Sequence, residues 1–193
     1  MKKFLVIVLV AISVCAHTKA QSTYYFPVDS AHGIEAFSVK WYSGQLEAMK
    51  EPIIYNVVSG NEIYRFTWLR TFHHPVAIRV ERSNNQFKLY WKMCSGAGGY
   101  APGKLILDKQ KTITVAEWNQ FIARLIRAGF WNMATELKGI LGNDGSQWIL
   151  EGKNGDRYHV VDRWTPGSST DYYKCCDYLL SLTDIKVSGQ DKY

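Results

Sequence analysis

From Ile63 to Met93 apolar and polar residues alternate through three successive runs, which restricts this stretch to an antiparallel sheet with two chemically different faces. Ile63 to Arg70, Val76 to Arg82 and Phe87 to Met93 read as strands, with turns at His73-His74-Pro75 and Ser83-Asn84-Asn85. Because strand side chains point alternately to opposite sides, Tyr64, Phe66, Trp68, Val76, Ile78, Val80, Phe87, Leu89 and Trp91 share one face, which reads as core. Arg65, Thr67, Arg79, Glu81, Lys88, Tyr90 and Lys92 share the other, which is expected to be wet.

The flanking segments are read from turn and cap chemistry. Ala36 to Tyr42 reads as a further strand, and Gly44 to Lys50 as a short helical turn stopped by Pro52. Ser95-Gly96-Ala97-Gly98-Gly99 reads as a turn needing positive φ, followed by a strand from Lys104 to Leu107. Thr114 and Glu117 form a capping box opening a helix with Trp118, Phe121, Ile122, Leu125 and Ile126 at helical spacing, ended by Gly129. Gln147 to Gly152 and Arg157 to Trp164 make a hairpin around Asn154-Gly155, which would pair Leu150 with His159 and Trp148 with Val161. A last helix starts at Ser168 or Ser169 and runs to about Leu182, its apolar side carrying Tyr172, Cys175, Cys176, Leu179 and Leu180; Val187 to Tyr193 is expected to fray. The expected architecture is α+β, an antiparallel sheet of hairpins and a meander with two main helices packed on one face. Strand order stays open.

The first 20 residues have the three parts of a secretory signal: Lys2 and Lys3, an apolar run from Phe4 to about Val14, and a polar stretch ending at Ala20. The apolar run is about half the roughly 20 residues that a spanning helix needs, so no stable transmembrane segment is expected. Export would place residues 21–193, a single domain, in the periplasm or outside the cell. Cys15 could be a lipidation site, but Val14 stands where a small residue is wanted. Loss of residues 1–20 takes Lys2, Lys3 and Lys19 from the 23 basic residues and none of the 17 acidic ones, so 20 face 17 and the remainder carries +3. So mild a charge gives no reason to expect nucleic acid. In an oxidising compartment Cys94 could pair with Cys175 or Cys176; equally, all three could be small buried thiols.

The chain lacks the G-x-S-x-G elbow, the H-E-x-x-H helix, the phosphate loop and paired C-x-x-C. No cofactor or metal site is therefore expected, and whether the protein is an enzyme stays open. The candidate catalytic residues are His159 with Asp162 or Asp144, and the turn histidines His73 and His74. The candidate binding residues are Arg65, Arg79, Lys88, Tyr90 and Lys92 on the charged sheet face, suited to an acidic ligand or an envelope protein. Trp41, Trp131 and Trp164, near element ends, are the tryptophans free to contact a ligand.

The segments Leu46-Glu47-Ala48-Met49-Lys50-Glu51-Pro52, Tyr64-Arg65-Phe66-Thr67-Trp68-Leu69-Arg70 and Trp148-Ile149-Leu150-Glu151-Gly152 resemble small exported bacterial proteins of unassigned function. That resemblance implies export and a shared fold and transfers no catalytic residue. The functional expectation is a non-enzymatic binding or interaction module of the cell envelope or secreted fraction, with an envelope hydrolase using a His/Asp pair as the alternative.

Overall fold

The computed structural model describes residues 24–28, 33–57, 60–137, 142 and 144–193. The expected signal peptide and Cys15 lie outside the described residues. The elements run α1 (Ala36–Ala48), β1 (Glu62–Arg70), β2 (Val76–Ser83), β3 (Gln86–Cys94), β4 (Leu105–Thr112), α2 (Val115–Arg127), β5 (Ser146–Asn154), β6 (Arg157–Trp164) and α3 (Asp171–Ser181). All six strands join one antiparallel sheet in the order β4-β3-β2-β1-β5-β6. The meander spans one half. The β5–β6 hairpin returns along the free edge of β1, which places β1 and its arginines at the centre.

The α+β expectation holds, and α2 and α3 share one face. There the predicted apolar set from β1 to β3 packs with Trp118, Phe121, Leu125, Cys175, Cys176 and Leu179 into one cluster. Thr114 caps α2 with both halves of the capping box, and Gly129 ends it at φ 68°. Thr170, rather than a serine, caps α3.

The other face departs from expectation, because a third helix covers it. Ala36 to Tyr42 is the start of α1 and not a strand. Its β-branched and aromatic residues suggested extended chain, but Val39, Tyr42 and Leu46 recur at helical spacing and bury against Leu69, Ala77, Ile149 and Val160; tertiary packing overrides propensity. The helix ends in a Schellman motif: the Lys50 N–H donates to Glu47 O and the Glu51 N–H to Leu46 O, with Lys50 at φ 53° where glycine is usual. This sharp exit lays Glu51 and Pro52 over the sheet, where Arg65 Nη1 donates to Pro52 O at 2.6 Å.

Three smaller expectations are also corrected. The hairpin turn is Gly155-Asp156, since Asn154 pairs with Arg157, so Leu150 faces Val161 and His159 faces Gly152. The tail docks instead of fraying: the Trp68 and Trp148 indoles each donate to Tyr193 O at 3.2 Å, and Ser146 Oγ donates to the same oxygen. The glycines of the 95–99 run are needed for close approach rather than positive φ. A Cβ on Gly98 would lie 2.6 Å from the Leu69 backbone, and the positive φ of this loop belongs to Gly103.

Candidate functional site

The charged face expected to bind a partner is interior. Arg65 is fully buried, and Arg79 and Lys92 are less than a tenth exposed. Glu51, delivered by the Schellman turn, is the hub. Its Oε2 accepts from Arg79 Nε at 2.9 Å and lies 3.7 Å from Arg65 Nη1, while its Oε1 is 3.5 Å from Lys92 Nζ. Arg65 also pairs with the buried Glu151, at 2.8 Å from Nε and 2.6 Å from Nη2, and Glu151 accepts from the Tyr158 hydroxyl at 2.9 Å. Arg79 pairs further with Glu81 and lies 4.1 Å over the Tyr90 ring. Buried charges survive only when paired and hydrogen-bonded, so the five residues named as a docking surface divide: Arg65, Arg79 and Lys92 hold α1's exit loop to the sheet, Tyr90 supports Arg79, and only Lys88 remains exposed. The alternation of β1 to β3 correctly separated the two faces; that an N-terminal helix would roof the charged one had no local signal.

Of the two alternatives open for the cysteines, the structure shows the buried thiols and not the disulfide. Cys94 belongs to the α1 face and Cys175 and Cys176 to the α2/α3 face, with the sheet between them, and all three are free and buried. Burial pushes the Cys175 thiol up to about 12 and raises Cys94 and Cys176 as well, the reverse of what a nucleophile needs.

The histidines are dispersed. The His159 Nε2 is 3.0 Å from Met133 O, and its ring packs on Phe130 at 5.2 Å. Asp162, three residues along β6, points to the opposite face and accepts from the Tyr42 hydroxyl of α1 at 2.6 Å, so the two form no acid–base pair. His74 Nδ1 lies 2.9 Å from Gly96 O and supports the glycine-rich loop. His73 sits between the Tyr193 hydroxyl, 2.7 Å from its Nδ1, and Asp191, 3.6 Å from its Nε2. Asp144 is exposed. Among the described residues no group of three or more His, Cys, Asp or Glu side chains could hold a metal ion, and no helix is long and apolar enough to cross a membrane.

Two concavities flank α1. The smaller, about 220 Å³, is lined by Glu35, Ser38, Tyr42, Glu136, Asp162, Arg163 and Trp164 among others. Burial raises the Asp162 carboxyl to about 7, with the Glu136 charge adding to the rise and the Tyr42 hydrogen bond opposing it. The larger, about 580 Å³, is a mostly apolar groove between α1 and the 95–103 loop, lined by Phe37, Lys40, Trp41, Gly44, Gln45, Gly99, Tyr100 and Pro102. That size and lining suit a small-molecule site.

The groove walls are fixed by hydrogen bonds. Gly96 N–H donates to Pro102 O and Ala97 N–H to Ala101 O within the loop, while Gly98 N–H and Gly99 N–H donate to His73 O and Thr71 O at the β1–β2 turn. From α1, Trp41 Nε1 donates to Gly98 O at 3.1 Å, and Gln45 Nε2 donates to Tyr100 O at 2.8 Å and Gly98 O at 3.3 Å. On this frame Phe37 and Tyr100 stand 70% and 63% exposed, with Phe72, also exposed, 6.4 Å from the Tyr100 ring. Of the tryptophans expected to be free, Trp41 forms groove wall, Trp164 lines the smaller cleft, and Trp131 lies beneath Arg157 at 4.5 Å. Of the other groove residues, Phe37 and Lys40 fall in the stretch that reads as a strand, Gly44 and Gln45 in the expected helical turn, Gly99 in the glycine turn, and Tyr100 and Pro102 between that turn and the next strand, so no local signal brings them together. No protein-family model matches this chain, and no curated protein matches it either.

Proposed function

We propose that the protein is a non-enzymatic ligand-binding module of the cell envelope or secreted fraction, and that its binding site is the groove between α1 and the 95–103 loop. The observation that carries this is the presence of large aromatic side chains, Phe37 and Tyr100, left in solvent on a wall that is otherwise rigid and internally hydrogen-bonded. Exposed apolar surface of this kind marks interaction sites, and a wall already ordered before the ligand arrives loses little further freedom on binding. Dispersal of the histidines onto backbone carbonyls and the tail favours binding over hydrolysis. The signal-like segment at residues 1–20 supports the location.

A thermal-shift panel tests it, with neutral and acidic oligosaccharides, acyl carboxylates, aromatic amines and short peptides presented to the wild type and to a Phe37→Ala/Tyr100→Ala double variant. Both side chains are largely solvent-exposed, so the variant folds normally. The expected result is one ligand class that raises Tm in proportion to its concentration in the wild type only. A rise of equal size in the variant would place the site elsewhere, and no rise with any class would remove the basis for a small-ligand module.

A further inference from the structure

The C-terminal tail and the groove loop meet at the β1–β2 turn, one on each side of it. Beyond α3 the chain is anchored as far as Asp184, which accepts from the Trp91 indole at 2.8 Å and pairs with Lys109, and Ile185 and Val187 pack on the apolar cluster. From Ser188 onward the residues are exposed or only partly buried, and polar contacts make the hold. Tyr193 O accepts from the two indoles and Ser146, Arg70 Nη1 donates to Asp191 O at 3.2 Å, and Lys192 pairs with Asp177 at 2.7 Å. The His73 ring lies between the Tyr193 hydroxyl and the Asp191 carboxylate. A segment that buries so little apolar surface opens at a lower free-energy cost than the core.

On the other side of the turn, Gly98 N–H donates to His73 O at 2.9 Å and Gly99 N–H to Thr71 O at 3.3 Å. The two accepting residues are held differently. Thr71 is pinned to the segment before β5: its N–H and its hydroxyl both donate to Gly145 O at 2.9 Å, and Gly145 N–H donates back to Thr71 Oγ1 at 3.3 Å. His73 has a long turn bond from its N–H to Arg70 O, 3.4 Å, and its ring is held by the tail. Gly98 O in turn accepts from Trp41 Nε1 and Gln45 Nε2, so the corner that His73 supports is also the one on which α1 closes the groove. We infer that residues 188–193 are a displaceable strap for the groove. Docked, they fix His73 and, through its carbonyl, the Gly98 corner of the loop wall; released, they free that corner while Thr71 keeps Gly99 in place. Whatever engages the tail thereby weakens what the groove holds, a consequence that rests on the groove being the binding site.

Hydrogen exchange followed by NMR, with no ligand added, tests it in the wild type, in Asp191→Ala/Tyr193→Phe and in a chain lacking residues 188–193. The double variant removes the two groups that His73 touches, and both residues are partly exposed, so it keeps the fold even if the deletion does not. In the double variant Gly98 N–H is expected to exchange about fivefold faster than in the wild type, the scale of one lost hydrogen bond, while Gly99 N–H stays within about twofold. The Trp41 indole N–H resonance shifts with Gly98. The deletion gives the same pattern and moves the Trp68 and Trp148 indole resonances as well, because both lose Tyr193 O. Unchanged Gly98 exchange in the double variant would overturn the strap. Acceleration of Gly98 and Gly99 together would also overturn it, since the loop would then loosen as a whole and not through His73. Because no ligand enters the measurement, either result leaves the groove standing as a binding site, and a groove that binds nothing leaves the strap standing.

Discussion

Replacing Asp162 by Asn should make the protein more stable above neutral pH, although it removes a hydrogen-bonded buried carboxylate. Asp162 is 6% exposed, and its Oδ2 accepts from the Tyr42 hydroxyl. The groups facing it are Tyr42 and Ser38 from α1, Glu35 and Glu136 from the segments around the cleft, and Arg163 beside it on β6. Arg163 spends its guanidinium on the carbonyls of Ala134, Thr135 and Asp162, so no cation fully offsets an ionised Asp162. Burial therefore raises its carboxyl from 3.8 to about 7. Below pH 3.8 the group is protonated whether the chain is folded or not, and its contribution to stability is complete. Between about 4 and 7 the unfolded chain gives up the proton while the folded one retains it, so stability falls as pH rises, and above 7 the loss is complete. At about 1.4 kcal/mol per unit, a rise of roughly three units corresponds to about 4 kcal/mol. An asparagine keeps the shape and an acceptor for Tyr42 without titrating. Urea unfolding of both proteins at unit steps from pH 4 to 8 should show the variant gaining about 4 kcal/mol on the wild type across that range. A difference that stays constant within about 1 kcal/mol would refute an Asp162 held neutral by burial.

Glu51→Gln should cost about 3–5 kcal/mol in urea unfolding, because it strips the hub from Arg65, Arg79 and Lys92 and leaves buried cations short of a counter-charge; a loss under 1 kcal/mol would mean that the network carries little. Thr114→Ala should lower stability by about 1 kcal/mol in urea unfolding, through loss of the Oγ1 that accepts from the Glu117 N–H, while the backbone N–H of residue 114 still donates to Glu117. Gly98→Ala forces its Cβ against the Leu69 backbone, 2.6 Å away, so thermal unfolding should show a lower Tm and the Trp41 indole N–H resonance should move. The thiols of Cys94, Cys175 and Cys176 should be inert to a disulfide reagent in the native protein and react on unfolding; rapid native labelling of any one of them would contradict their burial.

The parts of the fold that were readable in the sequence are those whose cause is local. The three-strand meander follows from period-two alternation, and the start of α2 from Thr114 and Glu117, which need only three residues to meet. Misreadings arose where distant chain decides. Ala36 to Tyr42 carries residues that favour strand, and only burial against β1, β2, β5 and β6 makes it helix. Its end carries no glycine signal because Lys50 adopts the left-handed conformation itself. Arg65, Arg79 and Lys92 looked like a solvated face because their partners Glu51 and Glu151 lie up to 86 residues away in sequence. The hairpin was found but misregistered by one turn position, since Gly155 holds the first place of its turn, at φ 56°, rather than the second. The groove failed to register for the same reason as the charge network: it exists only once α1 lies across the 95–103 loop.

A two-dimensional amide NMR titration with the compound that raises Tm most tests the central claim most directly. The account predicts that the shifted resonances cluster at residues 37–45 and 96–102, with the Trp41 indole N–H among the largest, and that the cluster vanishes in the Phe37→Ala/Tyr100→Ala variant. Shifts centred on the Asp162 cleft, or on α2 and α3 across the sheet, would contradict it.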